Sequence, residues 1–255
     1  MSAIEIHMFP CLSDNYGYLV HEPKSGETTC IDTPDADRIL SEAGKKSWNI
    51  TQIWNTHWHP DHAGGNLAIK EATDCMIIGP AGEEEKIPGL DRAVHQDSLV
   101  NLGHVEARVL DVPGHTAGHI AFHLPDEDVA FVGDTLFALG CGRLFEGTPE
   151  QMVHSLAKLK ALPGETTIYC AHEYTAANAK FALSVEPNNP ALRSYASDVA
   201  RLRSEQKPTV PTILSKELNA NPFLRADVPS LQTAMGHVGD EVATFAEIRS
   251  RKDNF

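Results

Sequence analysis

Thr56-His57-Trp58-His59-Pro60-Asp61-His62-Ala63-Gly64-Gly65 is the stretch from which the rest of this 255-residue chain is read. It sets three imidazoles and one carboxylate within six positions, 57 to 62. Directly before it, Thr51-Gln52-Ile53-Trp54-Asn55-Thr56 is rich in β-branched and aromatic residues and predicts a strand. The two glycines after it break the chain before a helix over 66–72. The cluster therefore sits at a strand's end. Packing so many polar groups together is costly unless something binds them. Imidazole and carboxylate suit zinc, iron or manganese, and with no cysteine in the cluster the pattern points to an open catalytic site rather than a closed structural zinc site.

Working outward, three more residues of the same chemistry stand just past predicted strands. His115 follows the strand 105–112 and its Pro113-Gly114 stop, Asp134 follows the second arm of a hairpin formed by 120–124 and 129–132, and His172 follows the strand 166–170. Seven ligands suit two metals, with Asp134 as the candidate bridge and a hydroxide shared between the ions as the nucleophile. Of the thirteen histidines, His7, His21, His95, His104, His123, His154 and His237 are given ordinary positions. His119 reads first as structural and second as a hydrogen-bonding support of the site.

Earlier in the chain, 4–9, 16–21 and 28–32 read as an antiparallel meander, followed by a helix over 35–43. After Pro149, Met152, Val153, Leu156, Leu159 and Leu162 line one face of a helix. Past His172 only helices are expected, with Leu192, Tyr195, Ala196, Val199 and Leu202 as a stripe and Asp240 as a cap. Alternating strands and helices followed by helices alone give an α/β domain over 1–172 and a smaller helical domain over 173–255.

The composition narrows the partners. A net charge of −14 disfavours nucleic acid. Cys11, Cys30, Cys75, Cys141 and Cys170 are odd in number and far apart, which fits a reducing cytoplasm better than a disulfide framework. The opening Met-Ser-Ala-Ile-Glu-Ile-His-Met-Phe-Pro has no basic or long apolar region and no later run is long enough to span a bilayer, so neither secretion nor membrane insertion is expected. A cytoplasmic monomer acting on a small molecule is the reading.

With those residues in place, Thr56 through His62 resembles the T-H-x-H-x-D-H signature of metallo-β-lactamase-fold hydrolases. A closer resemblance is to glyoxalase II, the hydroxyacylglutathione hydrolases. It rests on Val112-Pro113-Gly114-His115-Thr116, Gly133-Asp134-Thr135-Leu136-Phe137, Gly140 through Thr148, His172-Glu173-Tyr174-Thr175 and Asn221-Pro222-Phe223-Leu224-Arg225. The resemblance implies a four-layer αββα sandwich with a C-terminal helical domain that binds substrate. It implies one metal on His57, His59 and His115, another on Asp61, His62 and His172, and Asp134 between them, zinc being the first expectation and iron or manganese the others. Asp61 and Asp134, with the bridging hydroxide, carry the catalytic role. Arg143, Phe145, Tyr174, Arg249 and Lys252, with Arg251 nearby, would bind a glutathione thioester, chiefly S-lactoylglutathione in methylglyoxal degradation. Some relatives have tyrosine at Phe145, whose hydroxyl is missing here, and lysine at Arg143, where the guanidinium keeps the charge but changes the donor geometry.

Other members of the fold are the competing expectations: glutathione persulfide dioxygenase above all, which holds one iron, then β-lactamases, ribonuclease-like hydrolases and flavin-linked di-iron proteins, the last with glutamate at the place of His59. A catalytically inactive scaffold on the same fold is the reading from a different class, and the full ligand set speaks against it.

Overall fold

The computed structural model describes residues 3–255. The chain condenses into two compact units, one running up to Asp111 and including Thr116–Gly133, the other made of Val112–His115 and Asp134–Phe255.

The first unit begins with β1 (Glu5–Cys11), β2 (Asn15–Glu22) and β3 (Glu27–Ile31), then α1 (Ala36–Lys46), β4 (Ile50–Trp54), the short α2 (Pro60–Ala63), α3 (Asn66–Thr73), β5 (Met76–Pro80) and β6 (Arg92–Val94). The six strands form one sheet in chain order. The first three pair antiparallel, as a meander should, and β3 to β6 then run parallel. Parallel pairing needs crossovers; α1 lies in the first and α3 in the second, and a short 3-10 turn lies in the third, between β5 and β6. Asp35 starts α1 by accepting from the Arg38 amide at 3.0 Å.

Alternation along the strands makes the layers. Leu19, Cys30, Ile53 and Ile77 join Ile39 and Ala43 of α1 and Ile69 of α3 in one buried cluster. Their strand neighbours point the other way, toward a second antiparallel sheet of β7 (Leu99–Leu102), β8 (Val105–Asp111), β9 (Ile120–Leu124) and β10 (Val129–Gly133). Tyr18 meets Phe131 with ring centroids 5.7 Å apart, and Trp54 meets Phe122 at 5.1 Å. One unit thus carries a helical layer, a sheet and a second sheet. The β4 end, where the apolar pattern stops, delivers the histidine cluster.

The second unit holds β11 (Leu136–Phe137), β12 (Gly140–Cys141), α4 (Pro149–Lys160), β13 (Thr167–Cys170), α5 (Thr175–Val185), α6 (Pro190–Ser204), β14 (Thr212–Ile213), α7 (Leu214–Ala220), α8 (Pro229–Met235) and α9 (Glu241–Asp253). Thr148 and Gln151 close α4 with a reciprocal capping box, and Asp240 caps α9 by accepting from Ala243 at 2.9 Å. The expectation of helices alone past 172 needs one correction: β14 pairs antiparallel with β13, a two-residue strand too short to show a periodicity. The boundary at 173 marks a change of sequence character and falls inside this unit. No helix among the described residues is long and apolar enough to cross a membrane.

Ile53 is fully buried between the first sheet and its helices, whereas Met76 on the adjacent strand is 49% exposed. Ile53→Ala should therefore cost about 2–5 kcal/mol and Met76→Ala well under 1 kcal/mol, read as the difference in urea midpoints at constant m-value.

Candidate metal centre

In the first unit, the segment after β4 is shaped by polar contacts that satisfy its backbone. The Asn55 side-chain Nδ2 donates to the His62 carbonyl at 2.9 Å, and α2 closes as the His62 N–H bonds back to the His59 carbonyl at 2.9 Å. The result gathers His57, His59 and His62 on one side. His57 and His62 rings lie 4.0 Å apart between centroids, and His57 Nε2 is 3.1 Å from His59 Nδ1. Asp61 Oδ2 is 3.5 Å from His62 Nε2 and accepts from the Asn15 side chain at 3.1 Å.

Asp32, just past the end of β3 and buried, sets the ring tautomers. Its Oδ2 accepts from His62 Nδ1 at 2.8 Å and from the Thr56 hydroxyl at 2.7 Å, and its Oδ1 accepts from the Thr56 amide at 2.7 Å. Because the Thr56 hydroxyl proton goes to Asp32, its oxygen accepts from His57 Nδ1 at 3.0 Å. Both imidazoles therefore keep the lone pair on Nε2, the form a cation requires. Asp32, His57 and His62 offer ligand-type atoms within 4.8 Å of one another. The floor beneath them is tight: a Cβ on Gly133, at φ +49°, would stand 2.5 Å from the Thr56 hydroxyl and 2.8 Å from the His119 ring. His119 is fully buried and stacks on His57 at 4.5 Å.

The second unit brings His115, Asp134 and His172 together. Asp134 turns Oδ2 toward His115 Nε2 at 3.4 Å and Oδ1 toward His172 Nε2 at 3.3 Å. His115 Nδ1 donates to the Arg143 carbonyl at 2.9 Å, which again leaves the lone pair on Nε2. This donor set, hard oxygens and imidazoles with preset tautomers, fits divalent cations.

Residues 31–172 match the model of the metallo-beta-lactamase superfamily, and residues 173–255 match the model described as hydroxyacylglutathione hydrolase C-terminus. The hydroxyacylglutathione hydrolase of Hyphomonas neptunium is 66% identical over 99% of this chain and 98% of its own length. The chain belongs to the hydroxyacylglutathione hydrolase family. The family member of Erythrobacter litoralis is 57% identical, covering 99% of this chain and 100% of its own. Fold likeness extends further, to the crystal structure of BLEG-1 B3 metallo-beta-lactamase, at a TM-score of 0.68 with 18% identity, over 86% of this chain and 99% of that one.

The residues that the family resemblance assigns to substrate all lie in the second unit. Phe145, 62% exposed, sets its ring edge-on to His115 at 5.2 Å. Tyr174 stacks on His172 at 4.8 Å and 2°. Arg143 Nε lies 3.8 Å from Asp253 on an exposed side chain. Lys252 donates to the Ala177 carbonyl at 3.4 Å; burial, then Arg249 and Arg143, lower its pKa from the ordinary lysine value. Arg249 differs from a free surface cation. It is buried, donates to the Cys141 carbonyl at 3.0 Å, pairs with Asp253 at 2.9 Å and lies over Phe223. Arg251 pairs with Glu247 on the same helix.

The Asn221-Pro222-Phe223 motif serves the turn after Asp134. Asn221 donates to the Phe137 and Gly140 carbonyls at 3.1 and 3.0 Å, and the fully buried Glu217 accepts from the Leu139 amide at 2.8 Å. Burial raises the Glu217 pKa, while its bonds to Leu139, Thr212, Tyr195 and Asn221 pull it down.

Asp32, Glu217 and Asp253 were not singled out by the sequence reading. Asp32 carries a signal that could have found it: like Asp134, it is an acid directly after an apolar strand. Asp32→Ala should weaken divalent metal binding about 10–100-fold, measured by zinc titration against a competing chelator.

Proposed function

We propose that this chain hydrolyses S-(2-hydroxyacyl)glutathione thioesters, S-lactoylglutathione to lactate and glutathione foremost, the step that completes methylglyoxal degradation. The observation that carries the reading is Asp134, which offers one carboxylate oxygen on the side of His115 and the other on the side of His172. A carboxylate shared by two cations needs that disposition. His57, His59 and His115 would hold one ion, and Asp61, His62 and His172 the other, with zinc as the first candidate metal. The names of relatives 66% and 57% identical over nearly the whole chain support the choice of substrate.

When bound, the cation pair supplies Lewis-acid polarisation of the thioester carbonyl and a hydroxide nucleophile at neutral pH. The chain's own residues do the rest. Asp32 and the Arg143 carbonyl hold the tautomers of His57, His62 and His115, so that these three rings need neither turn nor shed a proton as ligands. Arg143 and Lys252 attract the carboxylates of glutathione, which a protein of net charge −14 would otherwise repel. Arg249 braces Asp253 and the Cys141 carbonyl beside them. The Tyr174 ring, held face-on by His172, gives the peptide part of the ligand an aromatic wall. Burial pushes the Cys141 thiol up to about 11, so it stays protonated at neutral pH and forms no acyl intermediate.

The functional division follows the sequence in part: residues 1–172 supply the reacting centre together with Arg143 and Phe145, and 173–255 add Tyr174 and Lys252 to the grip on substrate. Five buried, free cysteines support a reducing, cytoplasmic setting.

Two assays separate this reading from a persulfide dioxygenase. The purified protein should release free thiol from S-lactoylglutathione and consume no oxygen with glutathione persulfide; the opposite pair of results overturns it. Asp134→Ala should lose most of its bound metal by elemental analysis and at least a hundredfold in kcat/KM. Arg143→Ala with Lys252→Ala should raise KM about tenfold and leave kcat within about twofold, since both act on parts of the ligand remote from the scissile bond. An unchanged KM removes these cations from the binding site.

A further inference from the structure

Glu83 belongs to no motif and to none of the ligand sets. It closes a short 3-10 turn, Ala81–Glu83, in the crossover between β5 and β6. Its neighbours Glu84 and Glu85 are exposed, whereas Glu83 is 2% exposed. A carboxyl is buried in this way only when its oxygens are satisfied.

Both oxygens are engaged by backbone amides of histidine-bearing loops. Oε2 accepts from the Trp58 N–H at 2.8 Å, the residue between His57 and His59. Oε1 accepts from the Gly118 N–H at 3.0 Å, the residue before His119. The two loops meet again above, where His119 stacks on His57 at 4.5 Å. Space at the junction is fully used: a Cβ on Gly118 would stand 2.6 Å from Glu83 Cγ and 3.0 Å from the Gly82 backbone.

The same turn holds Trp58 from its ring side. Lys86 lies over the indole with Nζ 4.7 Å from the centroid, and its amide bonds back to the Glu83 carbonyl at 2.8 Å. Ile87, buried in the core with Ile53 and Ile77, bonds to the same carbonyl at 3.2 Å and anchors the turn. The segment 83–87 thus joins the hydrophobic core at one end to the peptide between two histidines at the other.

We infer that Glu83 is a positioning residue, which sets the affinity for the cation on His57 and His59 by fixing the Trp58 peptide. This rests on the ligand reading proposed above. The peptides flanking Trp58 set where both imidazoles start, so releasing the Trp58 N–H lets His57 Nε2 and His59 Nδ1 drift from convergence. His62, held by Asp32 and the Asn55 side chain, keeps its place.

The test uses full-length protein stripped of metal and titrated with zinc against a competing chelator, so that the affinities of both sites are read without turnover. Glu83→Ala should weaken one of two sites about 10–100-fold and leave the other within about threefold. Glu83→Gln, which keeps one acceptor oxygen, should fall between it and wild type and guards against a variant that fails to fold. Val199→Ala loosens a separate buried cluster that holds no residue of the turn and should retain both affinities. The inference is overturned if Glu83→Ala binds both ions as wild type does, or if Val199→Ala weakens the same site as much. His57→Ala, titrated alongside, separates the two levels. If it loses a site while Glu83→Ala does not, only the positioning role fails; if it keeps both sites, the ligand reading fails and this inference with it.

Discussion

An imidazole can present a lone pair outward only when its other nitrogen gives its proton to something fixed, and in a buried site that something must be supplied by the fold. The organisation of the first unit follows from this requirement. Asp32 takes the His62 proton directly and the His57 proton through the Thr56 hydroxyl, so a single carboxylate at the end of β3 governs two rings. Placing it there requires β3 beside β4, and a parallel neighbour requires the α1 crossover. The second unit meets the same requirement with a backbone carbonyl, that of Arg143, against His115.

Much of the architecture was legible because local pattern and tertiary use agree. The hairpin of β9 and β10 sits around Asp126-Glu127-Asp128, α3 starts after Gly64-Gly65 as read, and Asp240 caps α9. Other elements lack a readable pattern. α5 buries Thr175, Asn178, Ala179, Phe181, Ala182 and Val185, and its remaining positions are too mixed to leave a polar stripe. β14 has two residues and exists because Thr167 and Ile168 of β13 pair with it.

The candidate site divides along the same line. His57, His59, Asp61 and His62 announce themselves by crowding, and His115, Asp134 and His172 by standing after strands. Residues that act on the backbone of others leave no such trace. Glu83 sits in a run of three acids that reads as a solvated surface, and only burial separates it from Glu84 and Glu85. Arg249 shows the reverse case: its charge suggests the surface, but its contacts with Cys141, Phe223 and Asp253 make it part of the interior.

The last helix has one consequence for how such a protein could lose its function by stages. Arg249, Lys252 and Asp253 all fall in the closing turns of α9. A chain cut short inside that helix would still carry each of the seven ligands proposed here, yet the proposed grip would lose Lys252 and keep Arg143 as its remaining cation. On the reading proposed above, it would resemble a door with its lock intact and its handle loosened, taking up metal while capturing dilute substrate less often.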